Sequence, residues 1–142
     1  MKRKKKPKTN IFLISPVHLS SDGTNLRISG YVNQLEKAGA IVHWPIRDTK
    51  QDDPTGGFTI CRTNCPAILD ADEIHIWYDE TSNGSKFDMG AVFMLVEMLG
   101  AKKKVVIANE KEAKKVDDEN AKKRKNKKSF FKVFKRLTSN QG

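Results

Sequence analysis

Ile74-His75-Ile76-Trp77-Tyr78-Asp79-Glu80-Thr81-Ser82-Asn83-Gly84-Ser85-Lys86-Phe87-Asp88-Met89-Gly90-Ala91-Val92-Phe93 reads as a buried strand, a small polar loop and an apolar helix in direct succession. In an open α/β sheet such a junction lies at the carboxyl end of the strands, where ligands bind. Ser82, Asn83, Gly84 and Ser85 are small enough to let a ligand reach the backbone, and the first amides of a helix are donors without helical partners. The four residues read equally well as a phosphate cradle and as an ordinary turn. Asp88 falls in the first turn of a helix read over 86–99, where a carboxylate either steadies the helix dipole or does chemistry.

The same alternation runs outward from this junction. Asn10-Ile11-Phe12-Leu13-Ile14-Ser15 is an apolar run ended by Pro16, a fully buried strand. Leu26, Ile28, Tyr31, Val32 and Leu35 follow at helical spacing and Gly39 stops them. Residues 40–45 read as a second strand and 47–57 as a charged loop. Residues 58–71 read as a helix with Ile60, Ile68 and Leu69 toward the core and Pro66 as a blemish. Strands are expected at 10–15, 40–45, 73–78 and 103–108, with Phe12, Ile14, Val42, Ile74, Ile76, Val106 and Ile107 buried. Strands separated by helices predict a single α/β domain with a doubly wound parallel sheet, flavodoxin-like, over residues 10–109.

Charge is segregated along the chain. Of 27 Lys and Arg, six lie between Thr9 and Ala101 against twelve Asp and Glu, so that body carries −6 and the ends carry +16. Residues 1–9 read as a basic disordered leader and 110–128 as a mobile Lys-rich linker. Residues 129–142 recover a pattern: Ser129 is an N-cap candidate, and Phe130, Phe131, Val133, Phe134 and Leu137 mark one face of a helix. Burying a phenylalanine stabilises by ~1.5–3 kcal/mol, so this helix is expected to dock. Basic tails on an acidic body suggest at most weak, nonspecific contact with nucleic acid.

Cys61 and Cys65 share one helical face without a Cys/His pair at ligand spacing, and His18, His43 and His75 are scattered. No metal and no cofactor is expected, and two reduced thiols are the simpler account. Apolar runs are too short to span a bilayer and no signal-peptide core follows Met1, which points to a cytoplasmic protein without a transmembrane segment. No phosphate-loop or dinucleotide signature appears.

Taken in order, these segments resemble the nucleoside 2-deoxyribosyltransferase family, including the related 2′-deoxynucleoside 5′-phosphate N-hydrolases. The likeness rests on Asn10-Ile11-Phe12-Leu13, on Asn64 through Ala71-Asp72-Glu73-Ile74, and on Ser82 through Asp88-Met89-Gly90-Ala91, over roughly residues 10–108. The resemblance implies a flavodoxin-like fold, a nucleoside or nucleotide ligand, a site often completed by a neighbouring subunit, and Asp88 as the catalytic carboxylate. It assigns substrate contacts to Phe12, Ser15, His18 and Asn64, and Ser82, Gly84 and Ser85 would cradle a 5′-phosphate. Asp79, at the end of the third strand, is a candidate for a sugar hydroxyl. Asp88 stands where the family carries glutamate, Asn64 where it carries aspartate, and Phe12 where many members carry an aromatic hydroxyl. The implied activity is cleavage or transfer of the N-glycosidic bond of a deoxynucleoside or its 5′-monophosphate. A binding or sensing module that kept the pocket without the chemistry is the alternative, and a nucleic-acid accessory protein using the basic tails is a third.

Overall fold

The apolar runs become strands β1 (Asn10–Ile14), β2 (Ile41–His43), β3 (Glu73–Ile76) and β4 (Lys104–Ile107) in a computed structural model that describes residues 7–17, 23–123 and 128–139. They form one all-parallel sheet in the order β2-β1-β3-β4. This is a flavodoxin-like arrangement, with its order reversing between β1 and β3. Each strand is shorter than its apolar run. Trp77 N still reaches Ile14 O at 2.8 Å and Ala108 N reaches Ile76 O at 2.7 Å, after which the chains leave the ladder. Pro45 ends β2 early because it opens a short helix, α2 (Pro45–Asp48), across the end of the expected strand and the start of the stretch expected as loop.

Two apolar layers cover the sheet. On one face α1 (Thr24–Lys37) presents Ile28 and Val32 to Ile11, Leu13, Val42 and Trp77. Tyr31 on α1 is hydrogen-bonded to His75 Nδ1, and His75 Nε2 donates to Glu73 Oε1 at 3.1 Å, which ties α1 to β3. The other face packs Phe12, Ile14, Ile74, Ile76, Val105 and Ile107 against α3 (Phe58–Asp70), α4 (Asn83–Phe93) and α6 (Phe130–Ser139). Six of the seven expected strand-core residues are buried. Val106 is only half-buried, on the edge strand of the sheet. Ile60 is likewise half-buried and Leu69 is exposed, so Ile68 alone of the three anchors α3.

The segment expected as a mobile linker differs most from the sequence reading. Residues Glu110–Ala121 form α5, with Ala113 and Asp117 buried one turn apart. Asp117 Oδ1 accepts from Ser129 Oγ at 2.6 Å, and Ser129 Oγ accepts from Lys132 N at 3.1 Å. One hydroxyl thus caps α6 and fastens it to α5. Phe131, Phe134 and Leu137 then enter the core, with Phe131 edge-on to Tyr78 at 5.8 Å. Phe130 and Val133 stay at the surface. Among the described residues no helix is long and apolar enough to cross a membrane. His18, the leader through residue 6, residues 124–127 and the last three residues lie outside the described residues.

Candidate functional site

Parallel strands deliver their following segments to one edge, and the order reversal opens a crevice there. Ser82 ends the β3 exit as the N-cap of α4: its Oγ accepts from Ser85 N at 3.2 Å. The cap makes α4 start at Asn83, three residues before the sequence reading put it. Asn83, Gly84 and Ser85 are therefore first-turn helix rather than free loop, and Asp88 belongs to the second turn. No acidic residue sits in the first turn of α4. Helix–charge interactions fade beyond that turn, so dipole stabilisation does not account for Asp88.

Burial isolates the carboxylate. Asp88 is 9% exposed, and desolvation pushes its pKa up to about 7. Among the described residues, no cation or hydrogen-bond donor offsets that burial. Ser85, one turn earlier on the same face, is 2% exposed and its Oγ has no partner among the described residues. Across from them lies α3. Burial and then the charge of Asp88 push the Cys61 thiol up, and Asn64 is one turn along α3 from Cys61, on the same face.

Asn64 in turn belongs to a relay running back to β1. Thr49 Oγ1 donates to Asn64 Oδ1 at 2.8 Å, and His43 Nε2 lies 2.9 Å from the same hydroxyl. A hydroxyl has one proton, and Asn64 takes it, so His43 must donate from Nε2 and leave Nδ1 as acceptor. Burial lowers the His43 pKa, which keeps the ring neutral at pH 7. The ring stacks on Phe12 with centroids 5.3 Å apart and planes 9° apart. With Oδ1 engaged by Thr49, the amide group of Asn64 carries donor hydrogens where an aspartate would have a second oxygen. Ser15 is buried and its Oγ accepts from Trp44 Nε1 at 3.1 Å.

Asp79 stands apart from this group. Its Oδ1 accepts from Thr81 N at 2.8 Å and Thr81 Oγ1 at 2.7 Å, a local turn. It lines a cavity of about 320 Å³ with Thr24, Trp77, Glu112 and Asn120, between α1 and α5. The structure therefore links Phe12 to Asn64 through His43 and Thr49, and sets Ser85 and Asp88 on the α4 face turned to α3. It does not place Asp79 with them, and His18 is outside the described residues. His43, Trp44, Thr49 and Cys61 were missed as site neighbours. His43 and Trp44 end a strand, the rule that selected Ser15, and should have been found by it; Thr49 carries no sequence signal. No cluster of three or more His, Cys, Asp or Glu that could hold a metal occurs among the described residues.

The fold and this edge define a flavodoxin-like α/β protein with a buried, desolvated carboxylate in the helix that follows β3. Compared with protein-family models, curated proteins and solved structures, the chain matches none.

Proposed function

We propose that this chain cleaves or transfers the N-glycosidic bond of a deoxynucleoside or its 5′-monophosphate, with Asp88 acting on the sugar. The observation that carries the reading is the desolvated, uncompensated carboxylate in the second turn of α4. Burying a carboxylate without a partner destabilises a fold, and such groups concentrate where chemistry uses them. A sugar losing its base develops cationic, oxocarbenium character, the charge this carboxylate lacks. In the proposed step the ionised Asp88 oxygen bonds to the anomeric carbon as the bond to the base nitrogen breaks. The electron pair leaves on that nitrogen, which takes a proton from water. Water or a second base then displaces Asp88 and restores the carboxylate. Asn64, oriented by Thr49, would hold the substrate with its amide hydrogens.

A second reading, a nucleotide-binding module without turnover, has its own support. Phe12 is fully buried against His43, and Asn64 Oδ1 is already satisfied by Thr49, so both positions serve internal packing. Incubation with a panel of deoxynucleosides and monophosphates, with and without an acceptor base, separates the two. Free or exchanged base supports the enzyme. Saturable binding without release supports the module.

A further inference from the structure

Helix α6 closes the core with Phe131, Phe134 and Leu137 and keeps a second apolar ridge outside. Phe130 is 52% and Val133 38% exposed, and Arg136 follows Val133 three residues on, so the three share one side of the helix. A groove of about 280 Å³ runs between this ridge and α4, walled by Met89, Phe93, Phe130 and Val133. The charged residue in its lining is Lys86, whose Nζ lies 5.8 Å from the centre of the Phe130 ring. The segment that carries the ridge has charge of one sign. From Ala121 to Gly142 the chain holds nine Lys and Arg and neither Asp nor Glu. Lys135 pairs with Glu110 of α5, whereas Lys132 and Arg136 are exposed.

We propose that this ridge and groove rest on a bilayer containing anionic phospholipid, with Phe130 and Val133 entering the headgroup region and the surrounding lysines and arginines meeting negative headgroups. A helix lying on a membrane is held by two terms together: apolar side chains buried at the headgroup boundary, and basic residues drawn to anionic lipid. Neither suffices here. Two part-exposed apolar side chains are a small anchor, and a charge run without them is drawn to any polyanion. Nucleic acid matches the same charge but not the same ridge. Single-stranded bases stack on open aromatic faces, whereas Lys86 already sits over the Phe130 ring. Val133 and the apolar groove wall offer a base no hydrogen-bonding edge, and lipid hydrocarbon needs none. The inference does not rest on the chemistry proposed for Asp88.

Cosedimentation of the full chain with vesicles tests this, using phosphatidylcholine alone or with about 30% phosphatidylserine at about 0.1 M salt. The wild type should pellet with the anionic vesicles and stay in solution with the neutral ones. Phe130→Ser with Val133→Ser keeps every charge. It should weaken vesicle binding roughly tenfold with circular dichroism unchanged, and leave binding to a DNA oligonucleotide as it was. Phe130→Trp reports the same contact without loss of apolar area. Its emission, taken against the wild type with its two tryptophans, should shift to the blue only on the anionic vesicles. A wild type that stays in solution with anionic vesicles overturns the proposal, even if it binds DNA. So does a folded double-serine variant that binds the vesicles as tightly as wild type, because the contact is then charge alone. Phe130→Trp that pellets with anionic vesicles without a blue shift places the ridge away from the bilayer and overturns the proposal as well.

Discussion

Asp88 titrates near neutrality because burial disfavours its charged form, and this couples its ionisation to stability. The unfolded chain releases the proton near the ordinary value of 3.8, whereas the folded chain holds it until about pH 7. Between those values the folded state binds more protons, so stability falls as pH rises and levels off above about 7. At about 1.4 kcal/mol per unit the cost reaches a few kcal/mol at high pH. Asp88→Asn should therefore be more stable than wild type by roughly 2–4 kcal/mol at about pH 8 and equal to it at about pH 4, measured by denaturant unfolding. Equal stabilities at both pH values would show that the carboxylate is not desolvated. Asn109 offers a second residue-scale test. Its Oδ1 accepts from Tyr78 N at 2.8 Å and its Nδ2 donates to Tyr78 O at 3.0 Å, closing the exits of β3 and β4. Asn109→Ala leaves both buried backbone groups without that partner and should cost about 2–4 kcal/mol.

Elements were legible where apolar residues set the period. The run Ile11-Phe12-Leu13-Ile14 before Pro16 could only be a buried strand, and β3 running into the apolar helix after Ser85 was equally plain. Helix α5 was not. Its buried face carries Ala113 and Asp117, and neither a small residue nor a carboxylate registers as core in a Lys-rich stretch. The bond that makes Asp117 tolerable comes from Ser129, twelve residues on. Ser129→Ala removes the cap of α6 and a hydrogen-bond partner of Asp117 together. It should lower stability by about 1–2 kcal/mol and should speed amide exchange in residues 130–137 before the rest of the molecule. Uniform exchange across the chain would mean that α6 is not fastened there. The start of α4 was misread for a related reason: the Ser82 cap adds most of a turn and moves Asp88 inward.

At the scale of the whole molecule, parallel topology was readable because helical patterns separate every pair of strands, and it brings residues distant in sequence to one edge. Which of them meet was not readable. Asn64 and Phe12 are joined through His43 and Thr49, and Thr49 sits in a charged loop that no periodicity marks. Asp79 shares the edge but turns into the cavity beside α1 and α5. The fold thus buries an uncompensated carboxylate in the helix that follows β3, in an acidic body, with the chain's positive charge mostly outside residues 9–101. The most direct test of Asp88 as the carboxylate acting on the sugar is the pH dependence of base release from a 2′-deoxynucleoside substrate, for wild type beside Asp88→Asn. The account predicts a wild-type rate that rises with pH, is half-maximal near 7 where Asp88 is half ionised, and levels off above it, and no release by Asp88→Asn at any pH. Release by Asp88→Asn at the wild-type rate would contradict it.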